Sequence, residues 1–429
     1  MSFKYKASLV LSGLLGGVFL DYLTGPSINT FGTDFIPSLP VTTSAHIPGR
    51  LSSDSVYRNI DQQIEHFINR WDIAGASVAI AKDGKLVFAK GYGWVDKENR
   101  IPAEPYNLFR VASISKLITA TGIMKLVEEG KLNLDDKVFG PKGILSRAPF
   151  DHYKDKAVED IEVLHLLNHS GGWTTRWGDP MFMPYSIARQ TGKELPLKDE
   201  DIIEFMLGKR LHFKPGTMAY YSNLGYVILG KVIEEVTGQD YESYIKTQVL
   251  YPLGIYDMQL GGSFPEERLS LESKYYEPDD HVLVDDYLGL REKVPSSYGG
   301  NDIHTLGAAG GWVASSTDLL KLLLSIDGEP SPADILTPES IQKMTTPSKP
   351  GNQPLGWRAV TSDSWYRTGT LAGTSAIMVR QDDGISYVVL FNTSTWKGPA
   401  LSSEIRHMMT RAIGKTDHWM NTDLFQTNS

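Results

Sequence analysis

Val111-Ala-Ser-Ile-Ser-Lys116 sets a serine three residues ahead of a lysine, at the head of an apolar run from Leu117 to Val127. On a helix, that spacing puts Ser113 and Lys116 on one face. The pairing has a chemical use: a serine hydroxyl is a poor nucleophile until a base takes its proton, and a lysine whose pKa is lowered by burial or by another cation can act so. A helix N-terminus also favours negative charge developing on the serine oxygen. The spacing by itself is weak, because the chain holds four such pairs, the others being Ser243 to Lys246, Ser340 to Lys343 and Ser394 to Lys397. Ser113 differs in context, since it follows a hairpin signal and opens an apolar helix. Taken alone, it reads more readily as a capping serine beside a solvated lysine.

Upstream of Ser113, Ile64, Phe67, Ile68 and Trp71 recur at helical spacing. Ser77-Val-Ala-Ile-Ala81 and Lys85-Leu-Val-Phe-Ala89 then flank the turn signal Lys82-Asp83-Gly84. The arrangement returns near the other end, with Ala376-Ile-Met-Val379, a turn at Asp382-Asp383-Gly384, Tyr387-Val-Val-Leu-Phe391 and a helical stretch from Leu401 to Ile413. Between them lie apolar helical segments at Leu117 to Val127, Leu224 to Val236 and Leu319 to Ile326, separated by polar loops. The expected fold is therefore mixed α/β of the α+β kind: an antiparallel sheet built from N- and C-terminal segments and flanked by helices, with a mostly helical insertion over 116–300. The domain is expected to run from 55 to 415, after a Gly-, Pro-, Ser- and Thr-rich linker over 24–54 and before a tail over 416–429.

The chain of 429 residues is 41% apolar and 22% charged, ordinary for a globular protein, and its formal charge is -9 with no basic run. Nucleic acid is not an expected partner. The chain contains no cysteine, which excludes disulfides, thiolate metal sites and a cysteine nucleophile. Lys4 and Lys6 precede an uncharged apolar run from Ala7 to Leu20. Residues 1–23 are expected to be an export signal or, with residues 7–23 as a tether, a membrane anchor, placing the domain in a periplasmic or extracellular setting.

Two further stretches bear on Ser113. Pro215-Gly-Thr-Met-Ala-Tyr-Tyr-Ser-Asn223 holds Tyr221 and Asn223 just before an apolar helix. A phenol near a cationic lysine can become a usable base, and an asparagine amide can hold the lysine and donate to a substrate carbonyl. Tyr57-Arg-Asn59 has the same pattern but precedes Ser113 with no turn signal. The second stretch, Tyr366-Arg-Thr-Gly-Thr370, precedes the strand at Ala376. Arg367 and Thr368 there can anchor a carboxylate, and Gly369 lets substrate lie close to the backbone.

In this order the three stretches resemble the serine β-lactamases, penicillin-binding proteins and related esterases and peptidases, whose motifs include Ser-x-x-Lys and a Lys-Thr-Gly strand. Tyr-x-Asn points to the class C lactamase and D-alanyl peptidase branch. Leu166-Leu-Asn-His-Ser-Gly-Gly172, Ala308-Ala-Gly-Gly-Trp-Val-Ala-Ser315 and Gly373-Thr-Ser375 are similar as well. The resemblance implies that Ser113 attacks a carbonyl, that Lys116 and Tyr221 share the roles of base and proton relay, and that Asn223 orients lysine and substrate. It further implies an oxyanion hole of the backbone N–H groups of Ser113 and Thr370, and no cofactor or metal. The substrate would be a small molecule or peptide: a β-lactam, a D-amino-acid peptide or a carboxylic ester. A low-turnover penicillin-binding or wall-sensing protein is the alternative.

Arg367 departs from the family, which has lysine or histidine there. Arginine stays charged, so it binds a carboxylate bidentately but does not shuttle protons, and this points to carboxylate-bearing substrates. No class A deacylating glutamate can be placed, which leaves Tyr221 to activate water. His165 and His169 lie four apart without the glutamate of a zincin helix, and read as structural. No Gly-x-Ser-x-Gly elbow or Walker loop is present. Trp173 to Tyr185 is aromatic and Met-rich, as suits either a cleft wall or core packing.

Overall fold

In the computed structural model, which describes Ser44 and residues 46–52, 55–416 and 418–426, the strands expected near both ends of the sequence come together in one sheet. Its seven strands are β1 (Gly75–Lys82), β2 (Lys85–Asp96), β3 (Ile101–Pro102), β4 (Ala359–Val360), β5 (Ser364–Leu371), β6 (Thr374–Gln381) and β7 (Ile385–Phe391). They lie in the order β3-β2-β1-β7-β6-β5-β4, each pair antiparallel. The N- and C-terminal halves join where β1 meets β7, with Ala79 opposite Val388 and Ile80 opposite Tyr387.

Successive strand side chains point to opposite faces, so a strand apolar at every position is buried on both. Five helices pack on this sheet or shape the site: α1 (Arg58–Trp71), α2 (Ser115–Glu128), α3 (Asn223–Thr237), α4 (Ser316–Leu324) and α5 (Leu401–Ile413). On one face, Val78, Ile80, Ile377, Val379 and Val389 pack with Ile64 and Phe67 of α1 and Met408 and Met409 of α5. On the other, Ala79, Ala81, Met378, Val388 and Leu390 share a core with Leu117 and Ile118 of α2 and Leu319 and Leu320 of α4. Small side chains on β1 let α4 approach until Ser77 Oγ and Ser316 Oγ are 2.7 Å apart. α2 is buried nearly all round because it runs through the middle of this second core, and its buried polar residues Ser115, Lys116, Thr119 and Thr121 are held by hydrogen bonds.

The structure corrects three sequence expectations. The insertion over 116–300 is helical only in its first part: between Gly254 and Asp302 the described residues form turns, two-residue strands and one short 3₁₀ turn. That segment is dense in Gly, Pro, Asp and Ser, which stabilise turns over helix. The stretch assigned to the linker, 24–54, is partly packed, with Ile47 and Ser52 fully buried. The tail over 416–429 likewise contributes a buried Leu424. The expected export segment, 1–23, and the remainder of the linker lie outside the described residues. Among the described residues, no helix is long and apolar enough to cross a membrane.

Candidate active site

Ser113 lies in a 3₁₀ turn, Ala112–Ile114, that runs into α2. Ala112 just before it has φ 45°, a left-handed conformation that non-glycine residues adopt at a cost and that recurs at functional turns. One helical turn on, Lys116 is completely buried. Its Nζ donates to the Ala309 carbonyl at 2.5 Å and to Asn223 Oδ1 at 2.7 Å, and stands 3.3 Å from Ser113 Oγ. These three acceptors match the three hydrogens of an ammonium, and among the described residues no carboxylate touches it. Burial, assisted by the Arg367 charge and opposed by Tyr221, brings Lys116 down to about 8.

Tyr221 and Asn223 come from the turn that opens α3, whose N-cap is Ser222. The Tyr221 phenol donates to Ser113 Oγ at 2.7 Å. Burial alone would raise that phenol, but the positive charges of Lys116 and Arg367 reverse the effect and hold it at about 8. His169 packs its ring 4.7 Å from that of Tyr221 and accepts from the Ser222 backbone N–H at 3.3 Å. Burial and the charges of Arg367, Lys116 and Arg358 hold its imidazole well below the usual range. His165 instead closes the N-terminus of a short helix, accepting from the Glu162 backbone N–H at 3.1 Å.

The third stretch is β5. Arg367 is only 1% exposed; its Nε donates to the Ser113 carbonyl at 2.8 Å and its Nη2 to the Tyr221 phenol oxygen at 3.2 Å. Its fork is therefore turned onto the protein, which corrects the expectation of a bidentate carboxylate anchor at this residue. Gly369 is required by proximity: a Cβ there would stand 2.0 Å from the Val111 carbonyl oxygen and 3.1 Å from Ser113 N. Only glycine lets β5 lie against the Ser113 turn. Thr368 and Thr370 line the same cleft of about 520 Å³ as Ser113, Tyr221, Asn223 and Arg367.

The look-alike motifs are dispersed. Lys246 pairs with Glu242 at 2.6 Å, Lys397 pairs with Glu404 at 3.1 Å, and Asn59 donates to the Ala412 carbonyl on the far side of the sheet. The aromatic stretch from Trp173 to Tyr185 divides between both expectations: Trp173 and Met181 are core, whereas Phe182 lines the cleft. Three participants were missed. Asp179 accepts from Asn223 Nδ2 at 2.7 Å, and burial raises its carboxyl. Ala309 offers its carbonyl to Lys116. Arg358, exposed on the cleft wall, makes no side-chain hydrogen bond or ion pair among the described residues. A Gly-Asp-Pro turn signals Asp179 as a cap, but nothing local links it to residue 223.

A buried lysine and a tyrosine converging on a serine at the mouth of an antiparallel sheet define a serine-hydrolase-like class of protein. Residues 60–407 match the Beta-lactamase family, and the chain belongs to it. It is similar to protein flp of Staphylococcus aureus (strain N315), 35% identical over 210 residues that make up 48% of this chain and 38% of that protein. The match thus spans well under half the length of that relative. Among solved structures, the octameric penicillin-binding protein homologue from Pyrococcus abyssi aligns over 84% of this chain and 78% of its own, with 29% identity and a TM-score of 0.61. D-amino acid amidase from Ochrobactrum anthropi SV3 shares the fold at 23% identity and a TM-score of 0.64, over 85% of this chain and 99% of its own.

Proposed function

We propose that this protein is a serine hydrolase that opens amide or ester carbonyls through an acyl-enzyme on Ser113. The observation that carries the reading is the 2.7 Å contact from the Tyr221 phenol to Ser113 Oγ, beside a Lys116 buried without a carboxylate. Once the Lys116–Tyr221 pair has lost one proton, that contact reverses. The phenolate takes the serine proton as Oγ bonds to the carbonyl carbon, and the carbonyl electron pair moves onto its oxygen. Backbone N–H groups of Ser113 and Thr370 receive this oxyanion; one such donor typically contributes about a hundredfold to a thousandfold. The proton then passes from Tyr221, with Lys116 stabilising the phenolate, to the leaving amine or alkoxide. In the second half the Tyr221 phenolate takes a proton from water as the water oxygen bonds to the acyl carbon; the carbon–Oγ bond then breaks, Tyr221 returns the proton to Ser113 Oγ, and the acid departs.

Candidate substrates are β-lactams, peptides ending in D-amino acids and carboxylic esters, in keeping with the penicillin-binding homologue and the amidase among the structural relatives. The carboxylate preference assigned to Arg367 passes to Arg358, which lines the cleft and whose guanidinium makes no hydrogen bond or ion pair among the described residues. Assays of nitrocefin, a p-nitrophenyl ester and a D-alanyl peptide against the wild type and Ser113→Ala test the reading. At least one should be turned over by the wild type and none by the variant; a Ser113→Ala protein as active as the wild type sinks it. Labelling of Ser113 by a fluorophosphonate with no turnover of any substrate favours the low-turnover sensor instead. Export, with residues 1–23 as a cleaved signal or residues 7–23 as a tether, is part of the proposal and is checked by cell fractionation and N-terminal sequencing.

A further inference from the structure

Asp179 takes no part in acyl transfer as proposed, yet its half-buried carboxylate is bonded into the cluster. Oδ1 accepts from the Met181 backbone N–H at 3.1 Å and Oδ2 accepts from Asn223 Nδ2 at 2.7 Å. The other end of that amide accepts from Lys116 at 2.7 Å. An ammonium only donates and a carboxylate only accepts, so an amide between them has one orientation. While Lys116 is charged, it selects the amide oxygen by itself. When Lys116 gives up its proton it gains a lone pair, and an unrestrained amide could turn over and donate to it, drawing that lone pair away from Tyr221 and Ser113. Asp179 removes this alternative by holding Nδ2.

The same bond fixes a piece of the cleft wall. Asp179 caps the turn Pro180–Phe182, and Phe182 lines the cleft together with Thr370 and Leu371 of the β5 end. We propose that Asp179 is a positioning residue acting through Asn223: it locks the amide with its oxygen on Lys116 and, in the same bond, latches the loop bearing Phe182 as the wall against a bulky apolar acyl group. This rests on Ser113 being the nucleophile.

Of the charges in the cluster, Lys116 acts on Asp179 directly, Lys116 and Arg367 act on Tyr221, and Arg358 joins these two around His169, whose imidazole is held well below its usual range. The negative charge of Asp179 raises Lys116. The test uses p-nitrophenyl acetate and p-nitrophenyl 3-phenylpropanoate with the wild type, Asp179→Ala and Asp179→Asn. Asp179→Ala should lower kcat on both esters about tenfold and raise KM for the phenylpropanoate about tenfold relative to the acetate. Asp179→Asn keeps an acceptor for Asn223 and should restore the KM ratio, while its rising pH limb moves to lower pH because the charge that raised Lys116 is gone. Both values within twofold of wild type in Asp179→Ala, or Asp179→Asn no better than Asp179→Ala, overturns the inference. Fluorophosphonate labelling separates the two readings. If wild-type Ser113 stays unlabelled, the nucleophile reading falls and takes this with it; if it labels while the Asp179 variants are silent, this inference alone is wrong.

Discussion

Lys116 and Tyr221 are each useful one proton short of their ordinary state, and each owes that to its neighbours. Burial leads in lowering Lys116 to about 8, and the charges of Lys116 and Arg367 bring Tyr221 to about 8 against its own burial. Below that pH the pair holds both protons and no base faces Ser113; above it one is gone. kcat/KM should therefore rise by about one log unit per pH unit and flatten near pH 8. Arg367 lowers both groups, so Arg367→Gln should move the limb to higher pH and Arg367→Lys should keep it. A flat profile from about pH 6 to about pH 9, or an acid shift in the Gln variant, contradicts this. Arg358 gives a separate prediction. With no acceptor for its fork among the described residues, it should favour a substrate carboxylate, since a hydrogen bond to a charged group contributes about 1.5–3 kcal/mol. Arg358→Ala should bring kcat/KM for a carboxylate-bearing ester close to that of its methyl ester, a loss of roughly tenfold to a hundredfold in selectivity. An unchanged ratio would return the role to the strand residues. Ser113, Lys116, Tyr221 and Asn223 were legible because their order along the chain is unusual even though each motif is common. Arg358 was not, since an arginine after Gly-Trp announces nothing until a cleft is built around it.

Elements were readable where one physical cause decided them. The two hairpins announced themselves by apolar runs around Asp-Gly turns, and the helices Arg58–Trp71 and Leu401–Ile413 by their periodic apolar face. The segment from Gly254 to Asp302 was misjudged because the helical pattern of its neighbours was carried into a stretch whose order comes from side-chain bonds, such as Arg110 Nη1 to the Ser297 carbonyl at 2.6 Å. β5 shows an element whose position is set by one missing atom. A methyl group on residue 369 would meet the Val111 carbonyl oxygen at 2.0 Å, so Gly369→Ala must push the strand off the Ser113 turn. Overpacking of this kind costs about 1–3 kcal/mol. A displacement of about 1 Å at a reacting centre costs about a hundredfold in rate. The variant should unfold at a lower temperature and react with a fluorophosphonate about a hundredfold more slowly; wild-type labelling kinetics would show that β5 does not position Ser113.

Across the whole molecule, the sheet has an edge to protect. β2 pairs with β1 along its length but with β3 only near Trp94 and Asp96, which leaves the backbone from Lys85 to Gly91 facing outward. Unpaired strand edges recruit other chains. Here the segments before α1 and after α5 cover this one: the Ala89 N–H donates to Ser52 Oγ at 2.8 Å, the Leu86 N–H donates to Asp423 Oδ1 at 3.1 Å, and the Leu86 carbonyl accepts from Leu424 N at 2.9 Å. Neither segment has the periodicity of an element, because each is held by its position against an edge rather than by a pattern of its own, which is why the sequence suggested linker and tail. Burying a leucine side chain contributes about 1.5–3 kcal/mol. Ending the chain at Lys415 should therefore lower the unfolding temperature by an amount that Leu424→Asp alone largely reproduces. It should also make the protein associate as its concentration rises, with scattering or sedimentation reporting the increase in mass. Because the cleft is built on the opposite half of the sheet, fluorophosphonate labelling of whatever monomer remains should proceed at the wild-type rate. If the shortened chain melts with the wild type and stays at constant mass, these contacts do not guard the edge.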